Sequence, residues 1–117
     1  MTDEQLIETA KEAVNAAVSP YGFTAESFDS STDLSEIWLM ISFTDKSKQT
    51  GCSSYFEAVY YTRPNKWGKK GGDIAYGIMD NDWIDLPEDP AKACKVFARW
   101  SQQKTLEQII AEVNAEN

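Results

Sequence analysis

The side chains of this chain that could perform acid–base or metal chemistry are its carboxylates, because the sequence contains no histidine. Histidine is the commonest general base and the commonest transition-metal ligand. Catalytic sites of the Ser-His-Asp or Cys-His type cannot be built from this chain alone. The two cysteines, Cys52 and Cys94, match no zinc-ligand spacing. No glycine-rich stretch matches a dinucleotide- or phosphate-binding motif.

Carboxylates are densest in one short segment around Trp83, where they are Asp80, Asp82, Asp85, Glu88 and Asp89. Loop carboxylates at such spacing can hold Mg²⁺ or Ca²⁺. The segment lacks the glycine and the terminal glutamate of an EF-hand loop. We therefore predict no metal, no cofactor and no enzymatic activity, and a small carboxylate-based metal-dependent enzyme is the third hypothesis.

The same acidic segment suits a basic partner, because negative charge speeds association and a buried tryptophan supplies affinity. We predict Asp80, Asp82, Trp83, Asp85, Glu88 and Asp89 as partner-binding residues. The alternative is that Trp83 and Leu86 dock the segment onto the domain while the acids face water.

A second candidate surface is the loop from Arg63 to Gly72, which contains no acidic residue. Its tryptophan, Trp67, stands among Lys66, Lys69 and Lys70, and such a group could stack on a base and contact phosphate. The net charge of −8 and the pI near 4.4 repel nucleic acid. Direct nucleic-acid binding is therefore disfavoured, and a polar hairpin loop is the alternative.

These residues are carried by a helix followed by strands. Apolar residues at helical spacing from Leu6 to Val18 predict an N-terminal helix that Pro20 ends. Thr2 and Gln5 form a predicted capping box at its start. Alternating patterns predict strands at residues 37–44, 54–62 and 73–79, with a weaker one at 23–28. Short connections between them indicate an antiparallel meander of three or four strands.

The C-terminal part is predicted to form two helices. Asp89 and Pro90 suit the first two positions of a helix. Apolar residues before and after residues 101–104 are out of phase on one straight helix, which predicts a break there. Thr105 and Gln108 then form a second predicted capping box. The whole chain, residues 1–117, is thus expected to be a single α+β domain.

One face of the predicted sheet, with Ile37 and Phe56, suits contact with the first helix. The other face is too apolar to stay in water without a reason, and its residues are Trp38, Met40, Tyr55, Val59 and Tyr61. Either the C-terminal helices cover it, or a partner or a second copy of the chain does.

Composition and charge complete the functional hypothesis. No apolar run is long enough to span a bilayer, the N-terminus is acidic rather than signal-like, and free thiols fit a reducing cytoplasm. We expect a cytoplasmic, non-enzymatic protein, monomeric or homodimeric, that inhibits or shields a basic macromolecular surface.

Toxin-immunity proteins and phage-encoded inhibitors of bacterial defence, including anti-CRISPR proteins, are analogous in size, charge and missing chemistry. In that version the acids mimic phosphates, and the partner is a nucleic-acid-binding protein. The alternative is a dimeric chaperone or adaptor that uses the aromatic face around Trp38 and Tyr61.

Overall fold

A computed structural model describes residues 1–48, 55–100 and 105–116. Along the chain, one helix precedes the strands and two helices follow them, as predicted for an α+β fold. The elements are α1 (Asp3–Val18), β1 (Phe23–Ser30), β2 (Glu36–Phe43), β3 (Tyr55–Tyr61), β4 (Ile74–Asp80), β5 (Asp82–Asp85), α2 (Pro90–Trp100) and α3 (Leu106–Ala115), with 3₁₀ turns at Ser19–Tyr21 and Lys46–Lys48. Among the helices of the described ranges, none combines the length and the hydrophobicity that a membrane crossing requires.

The helix ends follow the predicted capping. At α1 the Gln5 N–H donates to Thr2 Oγ1 at 3.2 Å, and the Thr2 N–H donates to Gln5 Oε1 at 2.8 Å. Thr105 and Gln108 make the equivalent pair of hydrogen bonds at α3. The Asp89 carboxylate accepts the Ala91 N–H at 2.9 Å and so caps α2. The predicted break at residues 101–104 lies outside the described residues.

The sheet has five strands in the order β1-β2-β3-β4-β5, and neighbouring strands are antiparallel. The meander is confirmed, but the expected number of three or four strands was too low. The additional strand is β5, which pairs Trp83 with Met79. Aspartate has a low strand propensity, so an acidic loop was expected there. Asn81, with φ of 65°, makes the reversal between β4 and β5, a conformation that asparagine tolerates.

The core lies between one face of the sheet, the inner face, and all three helices. Fully buried strand residues such as Leu39 and Ile78 meet Val14 of α1, Val96 of α2 and Ile109 of α3. Aromatic rings fill the centre, and Phe56 stacks on Phe97 with 4.9 Å between ring centroids. Burial of these side chains is the main stabilising contribution, at roughly 1.5–3 kcal/mol for each large apolar side chain.

A side chain of α1 occupies one position on the open edge of β1. Asn15 Nδ2 donates to the Ala25 carbonyl, and Asn15 Oδ1 accepts the Ala25 N–H, both at 2.9 Å. The amide thus satisfies the edge groups of Ala25, which would otherwise be open to another chain. Both C-terminal helices contribute to the inner core. Among the described residues they do not cover the opposite face of the sheet.

Candidate binding surface

The open face of the sheet, here called the outer face, mixes apolar and acidic side chains. Its residues follow from the alternation along each strand and from the register between strands. The apolar ones are Trp38, Met40, Tyr55, Val59, Tyr61, Met79 and Trp83, and the acidic ones are Glu26, Asp29, Glu36, Glu57 and Asp85. Among the described strand residues of this face there is no lysine or arginine.

Each tryptophan of the outer face is held by a carboxylate on its own strand. Trp38 Nε1 donates to Glu36 at 3.4 Å, and Trp83 Nε1 donates to Asp85 at 2.6 Å. Partners two residues apart on a strand lie on the same face. The indole N–H groups are therefore satisfied within the sheet, and the rings remain available to an apolar contact.

The Trp83 ring lies directly over Gly77 of β4. A Cβ atom built on Gly77 would be 2.2 Å from Trp83 Cζ2, far inside the contact distance of about 3.5 Å for two carbon atoms. Only glycine leaves room for the ring at this position. Gly77 is buried beneath the ring, whereas Ala75, two residues earlier on the same face of β4, lines a cleft.

Glu57 lies near the middle of the outer face, between Met40 of β2 and Gly77 of β4 in the register of the sheet. Its side chain makes no hydrogen bond or ion pair with the described residues. Partial burial raises the pKa of the Glu57 carboxyl above its usual value because the charged form is poorly solvated there. A cation supplied by another molecule would stabilise this carboxylate.

A cleft of about 610 Å³ occupies the end of the outer face nearest the β3–β4 connection. Ala75 contributes to its floor, and aromatic side chains from a strand, a loop and the edge strand form its walls. The lining residues used below are Glu36, Tyr61, Trp67, Trp83, Asp85 and Glu88. Lys69 also lines it and forms an ion pair with Glu88 at 2.9 Å.

The two segments singled out in the sequence therefore meet at one place. Trp67 and Lys69 come from the loop between Arg63 and Gly72, whereas Trp83 and Asp85 come from the acidic segment. In an antiparallel meander every second connection lies at the same end of the sheet. The loop between β3 and β4 and the residues after β5 are neighbours for this reason.

Within the loop, the basic side chains differ in their surroundings. Lys66 Nζ lies 4.8 Å from the ring centroid of Trp67, whose side chain is 67% exposed. Arg63 pairs with Asp33, and the backbone N–H of Lys70 donates to the Asp73 carboxylate. Arg63 and Lys69 are thus paired with carboxylates, whereas Lys66 and Lys70 are exposed and form no ion pair with the described residues.

The carboxylates of the acidic segment are also dispersed. Asp80 and Asp82 are exposed at the β4–β5 reversal, and Asp85 accepts from Trp83. Glu88 pairs with Lys69, while Asp89 caps α2. Within residues 1–48, 55–100 and 105–116, no group of three or more His, Cys, Asp or Glu side chains is placed to hold a metal ion.

Several residues of the surface were not singled out from the sequence. Met79 and Gly77 share the outer face of β4, and the alternation along that strand was sufficient to place them there. Glu36 and Glu57 alternate in the same way on β2 and β3. The contact of Trp83 with Gly77 had no sequence signal, because it depends on the pairing of β5 with β4.

A second cavity, of about 700 Å³, lies on the helical side and is lined by Phe43, Ala91, Cys94 and neighbouring residues. Cys94 is a buried free thiol, and desolvation raises its pKa to about 12. It is therefore protonated at neutral pH and a poor nucleophile. Cys52, the other cysteine, lies outside the described residues.

Comparison with protein-family models, with curated proteins and with solved structures found no match for this chain. Its function is accordingly inferred from the outer face itself.

Proposed function

We propose that this protein binds a basic surface of another protein through the outer face of its sheet and shields that surface. The observation that supports this proposal best is the composition of the face. Aromatic and methionine side chains alternate with carboxylates there, and the described strands contribute no lysine or arginine to it. Such a face complements a partner that presents lysine or arginine around an apolar centre.

The two kinds of side chain have different roles in the proposed complex. Trp38 and Trp83 are large, largely fixed by their hydrogen bonds, and suited to become buried anchors that carry most of the affinity. The carboxylates, together with the net charge of −8, steer a basic partner toward the face and raise its association rate. Affinity should therefore fall as salt screens these charges.

A second copy of the same chain is a poorer occupant of this face. In a symmetric dimer, Glu57 and Asp85 of each copy would lie within an interface whose carboxylates outnumber its bases, which are Lys69 beside Glu88 and Lys11 beside Glu26. Like charges brought together at an interface cost several kcal/mol. A heterologous basic partner thus fits better than the dimeric chaperone or adaptor, and sedimentation of the purified protein should show a monomer.

The proposal can be tested by partner capture with three forms of the protein. We expect the wild type and Glu12→Lys to retain the same basic protein from a lysate of the source organism, and Glu57→Lys to lose it. Glu12 is exposed on α1, on the helical side, so the control changes the net charge equally. Calorimetry with the purified partner should show at least a tenfold loss for Glu57→Lys.

The effects of salt and of added nucleic acid on partner capture then indicate which surface of the partner is covered. Raising the salt from about 150 to 500 mM should weaken capture of the partner, because salt screens the carboxylates that attract it. If the face covers a nucleic-acid-binding site, as expected for a defence inhibitor or an immunity protein against a nuclease, DNA or RNA should compete for the partner. Retention of the partner by a folded Glu57→Lys variant would contradict binding through the outer face.

A further inference from the structure

The cleft beside Tyr61 concentrates aromatic side chains and carboxylates at one end of the outer face. Aromatic side chains of Tyr61, Trp67 and Trp83 line it from three different elements. Carboxylates of Glu36 and Asp85 line it as well. Aromatic walls combined with carboxylates are the features that bind organic cations in proteins, because the faces of the rings are electron-rich.

Each of the two carboxylates keeps one oxygen free for a ligand. Glu36 Oε1 accepts from Trp38, and Asp85 Oδ1 accepts from Trp83. The second oxygen of each carboxylate has no hydrogen-bond partner among the described residues. The indole bonds fix the orientation of both groups, so a cation would meet acceptors that are already in position.

Both carboxylates act on the same phenol. Burial raises the pKa of Tyr61, and the charges of Glu36 and Asp85 raise it further, whereas Lys69 opposes them. Glu36 is also the register partner of Tyr61 on the neighbouring strand. Lys69 also lines the cleft and pairs with Glu88, so the lining holds three carboxylates against one ammonium and stays negative overall.

We propose that this cleft is a subsite for one arginine side chain of the basic partner. The inference rests on the proposed function and identifies the group that the partner inserts. A guanidinium is planar, so it can stack on an indole or phenol ring while its N–H groups reach the two free carboxylate oxygens. A lysine ammonium has no flat surface to stack and would use only the charges.

The subsite can be tested on the isolated protein with small probes. The probe is N-acetyl-arginine methylamide, and its neutral isostere N-acetyl-citrulline methylamide is the control ligand. Indole N–H signals in ¹⁵N-resolved NMR spectra report Trp67 and Trp83 separately from Trp38 and from Trp100, which packs against the core. We expect saturable shifts of the Trp67 and Trp83 signals with a dissociation constant on the order of millimolar, and none with citrulline.

Substitutions locate the site within the cleft. Asp85→Asn and Glu36→Gln should each weaken arginine binding about fivefold or more. Asp82→Asn, which removes the same charge from an exposed position on the same strand, should leave it unchanged. Equal shifts with citrulline, or equal weakening by Asp82→Asn, would overturn the proposal.

Two further probes test which kind of cationic group the cleft prefers. Tighter binding of tetramethylammonium than of the arginine probe would mean a cage for alkylated ammonium ions, and equal binding of N-acetyl-lysine methylamide would mean that stacking is not used. Either result overturns the arginine assignment. If the probes fail while Glu57→Lys still abolishes partner capture, binding through the outer face survives without this subsite. If the arginine probe binds while Glu57→Lys leaves partner capture unaffected, the cleft binds arginine but binding of the partner through the outer face is contradicted.

Discussion

Replacement of Gly77 by alanine should displace Trp83 from the outer face. The added Cβ would lie 2.2 Å from Cζ2, 2.3 Å from Cε2 and 2.6 Å from Cη2 of that ring. Since carbon atoms pack at about 3.5–4.0 Å, the ring must retreat by about 1.5 Å. A movement of this size breaks the hydrogen bond of 2.6 Å between Trp83 Nε1 and Asp85.

The expected cost follows from two opposing effects. Overpacking of this kind costs about 1–3 kcal/mol, while alanine in a strand interior is about 0.5–1 kcal/mol better than glycine. The free energy of unfolding should therefore fall by about 1–2 kcal/mol. For a domain of this size that corresponds to a decrease in Tm of roughly 4–10 °C.

A double-mutant cycle tests the cause. In a Trp83→Ala background the obstructing ring is gone, so Gly77→Ala should become neutral or stabilising by up to about 1 kcal/mol. Urea denaturation followed by circular dichroism measures all four proteins. An equal loss of stability from Gly77→Ala in both backgrounds would refute the proposed packing of Trp83 on the glycine.

Three further outcomes are expected. Thr105→Ala removes the capping box of α3 and should lower the free energy of unfolding by about 1 kcal/mol, measured by urea denaturation with Thr9→Ala, within α1, as the control. Cys94, whose pKa is raised to about 12 by burial, should react with iodoacetamide at pH 8 at least about a hundredfold more slowly in the native state than in urea; a Cys52→Ser background isolates this thiol, and fast native labelling would contradict its burial. Burial raises the folded-state pKa of Glu57 above the ordinary value of 4.5, so the folded state binds this proton more tightly and stability falls as pH rises through that window. Glu57→Gln should accordingly raise Tm at pH 7 and raise it less at pH 4, and an equal effect at both pH values would show that the charge is not responsible.

The features that were predicted from the sequence are those with a local cause. The capping boxes at Thr2 and Thr105 need only residues three positions apart. The strands β2, β3 and β4 alternate between the core and the outer face, so their patterns were clear and their observed ends agree closely with the predicted ones. The C-terminal helices followed from a phase change between Phe97 and Leu106 that one helix cannot accommodate.

The features that were missed depend on contacts between distant parts of the chain. The strand Asp82–Asp85 has little intrinsic preference for extended structure, and it forms because β4 offers backbone partners such as Gly77 and Ile78. The convergence of the 63–72 loop with the acidic segment depends in turn on β5 running back beside β4. From the sequence, the two segments were separate candidates for the contact surface. In the fold, residues of both line one cleft.

We infer that the carboxylates of the outer face allow an apolar sheet face to stay uncovered. An aromatic face of this kind would otherwise promote association with further copies. On the function proposed above, Glu57 opposes that contact, because a second copy would bury like charges, and the same carboxylate favours a partner that supplies a cation. Partial burial raises the pKa of the Glu57 carboxyl, the direction expected where holding the charged form in the middle of the face costs free energy. A residue that lowers the stability of the isolated fold is expected at a position where binding to a partner, rather than folding, determines the residue type.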